Sequence, residues 1–282
     1  MITKYLDSGN ECFNESQSAI VVMPVPYDGT STWIKGADKG PAAILDASAN
    51  LELYDIETES EVYRKGIHTT ESIMEQDSPE SMVKAVYDKA QGFLKQDKFL
   101  VTIGGEHSVS IGPIMAYAEK YPGLTVLQFD AHGDSRDEYM GSKYNHACVM
   151  ARARECASII QVGIRSMDVS EMSEADKSRI FYRHQIAGNS DWHERLLELL
   201  TGDVYITIDL DVFDPSIMPS VGTPEPDGML YHEVINLIKK VNKQCNIVGF
   251  DVVELCPNEA YKAADFTAAK LIYQILSLKF HG

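Results

Sequence analysis

The sequence predicts an α/β protein built on a mainly parallel sheet, and three observations carry that prediction. Short apolar runs rich in Val and Ile recur along the chain, segments with helical spacing lie between them, and several runs end in a polar loop. The runs are "AIVVMPVP" (19–26), "FLVTIGG" (99–105), "LTVLQFDAH" (124–132), "SIIQVGI" (158–164), "VYITIDLDV" (204–212) and "NIVGFDVVEL" (246–255). They are apolar at successive positions rather than at alternate ones, the pattern of strands covered on both faces.

The helices follow from their own signals. In "SPESMVKAVYDKAQGFLKQ", Ser78 is placed to cap and Pro79 to open a helix, and Met82, Val86, Ala90 and Phe93 recur at helical spacing. "SDWHERLLELLTG" begins at a capping Ser190 and stops at Gly202. "LYHEVINLIKKVNKQ" and "EAYKAADFTAAKLIYQILSLKF" carry the same spacing. No Ser/Gly/Pro-rich linker divides the chain, so residues 1–282 are read as a single domain.

The chain has 25 Lys+Arg against 42 Asp+Glu, a net charge of −17, which argues against nucleic acid or an anionic membrane as partner. Five cysteines (Cys12, Cys148, Cys156, Cys245, Cys256) form no C-x-x-C pair, as expected of free thiols in a reducing compartment. No signal-peptide pattern and no apolar run of membrane-spanning length is visible, so the expected location is the cytoplasm.

The chemistry is concentrated where strands end. "GGEHS" follows "LVTI", "DAHGD" follows "VLQF", "DLDVFDP" follows "YITI" and "ELCP" follows "FDVV". In open parallel sheets ligands bind beyond the carboxyl ends of the strands, so four exits converge on one site. Residues two apart on a strand share a side, which lets Asp130, His132 and Asp134 face one point and Asp209 and Asp211 do the same. His107 adds a second imidazole. Four carboxylates held this close repel one another without cations. Carboxylate and imidazole without thiolate suit Mn²⁺ and related divalent ions.

With "GGEHS", "FDAHGD" and "TIDLDVFDPSIMPSVGTPEPDG" in place, the chain resembles the ureohydrolase family of arginases, agmatinases and relatives, from "PVPYDGTSTWIKGADKGPAAI" to "FDVVELCP". The resemblance implies a three-layer α/β/α sandwich with an eight-stranded parallel sheet and two Mn²⁺ per chain. One ion would take His107, Asp130, Asp134 and Asp209, and the other His132, Asp130, Asp209 and Asp211, with Asp130 and Asp209 bridging. It implies that Asp134 orients a bridging hydroxide, that His146 in "KYNHACVM" shuttles protons, and that Glu254 in "VVELCP" holds the guanidinium. Thr223, Pro224 and Glu225 would form a cavity wall, while Asp214 and Pro215 shape a turn. Glu106 stands where many relatives have Asp, and Asn145 where Ser is commoner.

The implied reaction is hydrolysis of agmatine to putrescine and urea, because "SRDEYMGSKYN" looks like the agmatinase branch and lacks the arginase residues for an α-amino acid. Aminopropyl-agmatine, guanidinobutyrate and arginine are the alternative substrates, and the resemblance implies trimers or hexamers. Other readings stand beside these. His146 is otherwise a surface histidine near a helix start, and Glu254 a salt-bridge partner at the sheet edge. Arg136 either pairs with Asp137 or Glu138 or meets a substrate carboxylate. A dinuclear phosphoesterase would need a separate Asn–His pair and further His ligands. A non-catalytic scaffold would have lost a ligand or His146, and all six ligand positions are filled.

Overall fold

The computed structural model describes residues 4–7, 14–173, 176–189, 191–200 and 202–281; the readings on Cys12 and Ser190 lie outside them. The strands are β1 (Ile20–Val25), β2 (Ile67–Thr69), β3 (Phe99–Gly104), β4 (Thr125–Phe129), β5 (Ser158–Val162), β6 (Ile180–Phe181), β7 (Asp203–Asp209) and β8 (Asn246–Val253). They form one all-parallel sheet of eight strands in the order β2-β1-β3-β8-β7-β4-β5-β6. Six of the eight are the runs read from the sequence. The other two, β2 and β6, are edge strands of three and two residues.

Helices cover both faces. They are α1 (Gly40–Ser48), α2 (Pro79–Leu94), α3 (Ile111–Lys120), α4 (Val149–Arg154), α5 (Arg183–Ile186), α6 (Trp192–Leu199), α7 (Tyr231–Gln244) and α8 (Ala263–His281). Alternate strand residues enter opposite layers, which explains why whole strands read as apolar. Val204, Ile206 and Ile208 pack with α1, α6, α7 and α8, while Tyr205 packs with α2, α3 and α4. Truncating such a fully buried side chain, Ile206→Ala for example, costs about 2–5 kcal/mol.

The caps behave as their chemistry requires. Ser78 accepts from the Ser81 amide and Pro79 is the first residue of α2. Helix α6 ends at Leu199 rather than at Gly202; Gly202 has φ of 65°, a left-handed turn that starts β7. Among the described residues, Cys148, Cys156, Cys245 and Cys256 are free thiols, and no helix is long and apolar enough to cross a membrane.

Strands β3, β8, β7 and β4 are neighbours at the centre of the sheet, so their carboxyl ends lie side by side. The chain leaving β3 crosses the segment after β1 at van der Waals distance. A Cβ on Gly105 would lie 1.9 Å from the Tyr27 carbonyl oxygen, so only glycine fits. The Glu106 amide donates to that same oxygen at 2.8 Å, which ties "GGEHS" to the "YDGT" stretch.

Candidate metal centre and active-site cavity

His107 opens a 3-10 turn directly after β3 and is buried. Its Nε2 lies 2.9 Å from Thr207 Oγ1, and that hydroxyl donates to Asp251 Oδ1 at 2.7 Å. With the single hydroxyl hydrogen so used, Nε2 is the nitrogen that donates and Nδ1 carries the lone pair. Nδ1 sits 3.1 Å from Asp130 Oδ2, 3.0 Å from Asp134 Oδ2 and 3.3 Å from Asp209 Oδ2, yet makes no hydrogen bond of good geometry. In the neutral ring that nitrogen would repel the three oxygens, so it must face either a proton or a cation. His107, Asp130 and Asp134 bring oxygen and imidazole donors close enough together to hold one divalent cation, with Asp209 beside them.

A second group adjoins the first. His132 Nδ1 is 2.9 Å from Asp211 Oδ2 and 3.6 Å from Asp130 Oδ1. Asp130 thus presents one oxygen to each histidine, and the two donor groups overlap at this residue. Its carboxylate is fixed by the Gln128 side chain and the His132 amide, each at 2.6 Å. Asp211 is held by the Ala131 amide at 3.0 Å, and Asp209 accepts from the Asp211 amide at 2.8 Å.

The spacing reading needs one refinement. β4 ends at Phe129, so Asp130, His132 and Asp134 converge from a loop rather than from the pleat of a strand. Asp134 takes φ of 46°, which swings its carboxylate back toward His107. Asp209 does close β7, and Asp211 follows it in a 3-10 turn.

Protonation reflects this crowding. Burial alone would lower the pKa of His107, but the crowding of its Nδ1 by the Asp130, Asp134 and Asp209 carboxylates outweighs it and holds the imidazole well above its ordinary value, so that without a cation this nitrogen takes up a proton. His132 is shifted the same way, against burial, by Asp211 and Asp130. Burial, then the charges of Asp211 and Asp130, raises Asp209. Without cations the site therefore retains protons that cations displace.

Above the carboxylates opens a cavity of 280 Å³ lined in part by Asp134, Arg136, Tyr139, His146, Thr223 and Glu254. Glu254 is buried, has φ of 67°, and accepts the His107 amide on Oε1 at 2.8 Å. That contact is to backbone, not to a cation at the sheet edge. Burial, then the charge of Glu106, holds Glu254 well above the usual carboxyl range. Thr223 Oγ1 reaches Asp211 Oδ2 at 3.4 Å. Glu225 Oε1 stands 3.8 Å from His132 Nε2. Asp214 accepts the amides of Ser216 and Gly228 at 3.0 and 2.9 Å, which closes its turn.

His146 does begin a 3-10 turn, and it also lines the cavity. Burial first, then the facing His107 and His132, lower its pKa to about 4. Asn145 caps that turn by accepting the Ala147 amide at 3.0 Å, a contact that accounts for an amide side chain at this position.

Arg136 departs from its expected pairing. Asp137 is taken by Arg152 and Lys143. The guanidinium instead stacks over Tyr139 at 4.4 Å and lies 3.8 Å from both Asp168 and Glu171. Glu171 is a cavity residue the sequence reading missed. It is buried and accepts the amides of Ser135 and Asp168 at 2.7 and 2.9 Å. Thr207 and Asp251 were missed as well, though Thr207 carries a signal: it precedes Asp209 by two, as Gln128 precedes Asp130, and interrupts an apolar strand on the ligand side.

Residues 18–277 match the Arginase family. The chain is similar to the N(1)-aminopropylagmatine ureohydrolase of Synechocystis sp., 35% identical over 95% of this chain and 94% of that protein. It is similar to the agmatinase of Pyrococcus horikoshii, 32% identical over 92% and 91%. The crystal structure of agmatine ureohydrolase of Thermoplasma volcanium superposes with a TM-score of 0.89 at 29% identity, over 100% of this chain and 95% of that one. With the family matched over nearly the whole chain and the fold shared, the chain belongs to the arginase family and is an amidinohydrolase that cleaves guanidino C–N bonds.

Proposed function

We propose that the protein releases urea from guanidino groups carried on a butylamine chain, with N1-aminopropylagmatine as the preferred substrate and agmatine as the second. The observation that carries the reading is the convergence of two overlapping donor groups, His146 and Glu254 on one cavity. The similarity to a relative named for N1-aminopropylagmatine supports placing that substrate ahead of agmatine, which the sequence motifs alone favoured. His107, Asp130, Asp134 and Asp209 would hold one divalent ion, and His132, Asp130, Asp209 and Asp211 the other. When bound, such a pair, Mn²⁺ by its oxygen and imidazole donors, makes hydroxide available near neutral pH.

The chain's own residues do the rest. Glu254 offers its second oxygen, Oε2, to the guanidinium while Oε1 stays on the His107 amide. The buried carboxylates of the floor favour a cationic guanidinium over a neutral analogue. Asp134 is placed to accept a hydrogen bond from the attacking oxygen. As the C–N bond breaks, the amine leaves with a proton passed through His146. Arg136 and Tyr139 border the opening through which the rest of the substrate extends.

The test is urea release by Mn²⁺-loaded protein from N1-aminopropylagmatine, agmatine, arginine and guanidinobutyrate. The expected order of kcat/KM places the two polyamine guanidines first and arginine last. Preference for guanidinobutyrate would instead make Arg136 a carboxylate contact and overturn the substrate assignment.

A further inference from the structure

The buried Glu106 and the hydroxyl of Thr30 form a path to His146 that the reaction scheme above does not use. Thr30 Oγ1 donates to Glu106 Oε1 at 2.9 Å. The same hydroxyl oxygen accepts the His146 backbone amide at 2.9 Å and lies 3.1 Å from His146 Nδ1. Glu106 is fully buried, and both its oxygens accept backbone amides: Oε2 from Ser108 at 2.8 Å and Oε1 from Thr30 at 3.3 Å. Ser108 Oγ adds a further donor to Oε1 at 2.8 Å. The carboxylate is thus surrounded by donors, and the Thr30 hydrogen belongs to it.

A hydroxyl has one hydrogen and two acceptor lone pairs. With its hydrogen on Glu106 and one lone pair on the His146 amide, Thr30 can meet Nδ1 only by accepting. We propose that Glu106 and Thr30 are positioning residues that fix His146 as the Nδ1–H tautomer, leaving Nε2 as the nitrogen that exchanges protons in the cavity. The arrangement is a carboxylate–hydroxyl–imidazole chain that orients an acid–base histidine from behind, as a carboxylate does directly in hydrolytic triads. It also accounts for the glutamate of "GGEHS", which reaches Thr30 and, through it, a histidine 40 residues further on (146 − 106). When Nε2 takes up a proton, Nδ1–H stays on Thr30 and the Glu106 carboxylate faces the new charge through one hydroxyl.

This inference rests on the shuttle role given to His146 above, and its test separates the two. Thr30→Val removes the hydroxyl with little change of shape, and Thr30→Ser restores it. We expect Thr30→Val to lower kcat by roughly ten- to a hundred-fold, less than deletion of the imidazole itself, with KM and bound Mn²⁺ per chain unchanged and Thr30→Ser close to wild type. In a His146→Ala background, Thr30→Val should have no further effect on kcat. ¹⁵N chemical shifts of the histidines in Zn²⁺-loaded protein should show the His146 proton on Nδ1 in wild type and Thr30→Ser, and divided between the nitrogens in Thr30→Val. An Nε2–H His146 in wild type overturns the proposal whatever the activity. So does a loss of kcat in Thr30→Val that persists in the His146→Ala background. Full activity of His146→Ala removes the shuttle role, while the tautomer measurement still decides whether Thr30 sets the ring.

Discussion

The floor and the mouth of the cavity are built on opposite terms. At the floor, Asp130 is fully buried and held by two donors at 2.6 Å, and His107 is locked by Thr207 at 2.9 Å. At the mouth, Arg136 is partly exposed and reaches its two carboxylates only at 3.8 Å. Four buried carboxylates crowded together are unfavourable on their own, so the floor is a preorganised cost that protons or cations offset. The loosely held mouth costs little and can change with little penalty. On the proposed reading, urea-releasing chemistry is placed at the floor and discrimination among guanidino compounds at the mouth.

Substitutions should break that contrast unequally. The largest effect is expected of Asp130→Ala, which removes the residue shared by both donor groups: both ions and urea release should go together, read by elemental analysis of dialysed protein. Wild type that saturates at one ion per chain would sink the two-ion floor. His146→Ala comes next. It should keep the metals and lose roughly 10²–10⁴ in turnover, with partial recovery on adding small imidazoles.

Proton release sharpens the contrast further. His107, His132, Asp209 and Glu254 all have raised pKa values in the metal-free fold. A raised group binds its proton more tightly folded than unfolded. For the histidines the stabilisation is complete below about pH 6.5 and is lost as pH rises through their folded values. For the two acids it is complete below about pH 4 and fades upward in the same way. The melting temperature of metal-free protein should thus fall from pH 6 to pH 9, and metal should flatten the dependence. Each imidazole proton that an ion displaces also weakens the binding of that ion by up to about tenfold for each unit of acidification while the ring is protonated. A melting temperature that rises with pH without metal would contradict the protonated floor.

Thr207→Val should be milder. It leaves every ligand in place but frees His107 Nε2 from its partner, and should cost roughly 10–100-fold in metal affinity by competition with a chelator. The smallest effect is expected at the mouth: Arg136→Ala, losing only long-range pairs and a ring contact, should change agmatine kcat/KM by less than about tenfold. A larger loss would move Arg136 into the machinery of the floor.

The same division shows in what could be read from the sequence. The central strands were legible because burial on both faces makes them continuous apolar runs, and the ligands because they cluster in short motifs at strand exits. The edge strands β2 and β6 were not, since two or three residues carry no pattern and their place is set by the neighbour they pair with. Helices α1, α3 and α4 were not legible either; the first two each carry a proline among their first three residues, and α4 is six residues long. The partners of Arg136 lie 32 and 35 positions away (168 − 136 and 171 − 136), brought near by loop geometry rather than by spacing. The contact of Thr30 with His146 spans 116 positions, and near it Gly105 lets the chain leaving β3 pass against the Tyr27 backbone.

The strand order has a consequence for how the molecule is made. β3 and β4 follow one another in the chain, yet β8 and β7 lie between them in the sheet. A nascent chain emerging from the ribosome can pair β1–β3 on one side and β4–β6 on the other, but the inner edges of the two halves stay open until residues 203–253 have been synthesised. Those edges are apolar and unpaired, the surfaces that invite association between incomplete chains. Asp209 arrives at the end of β7, the first of the two strands that fill the gap, and Asp211 in the turn after it, when His107 and the 130–134 loop have already been translated. A chain released before β7 would lack two of the four acids proposed to hold the ions, and one released before β8 would have all four but no β8 to join the two halves of the sheet.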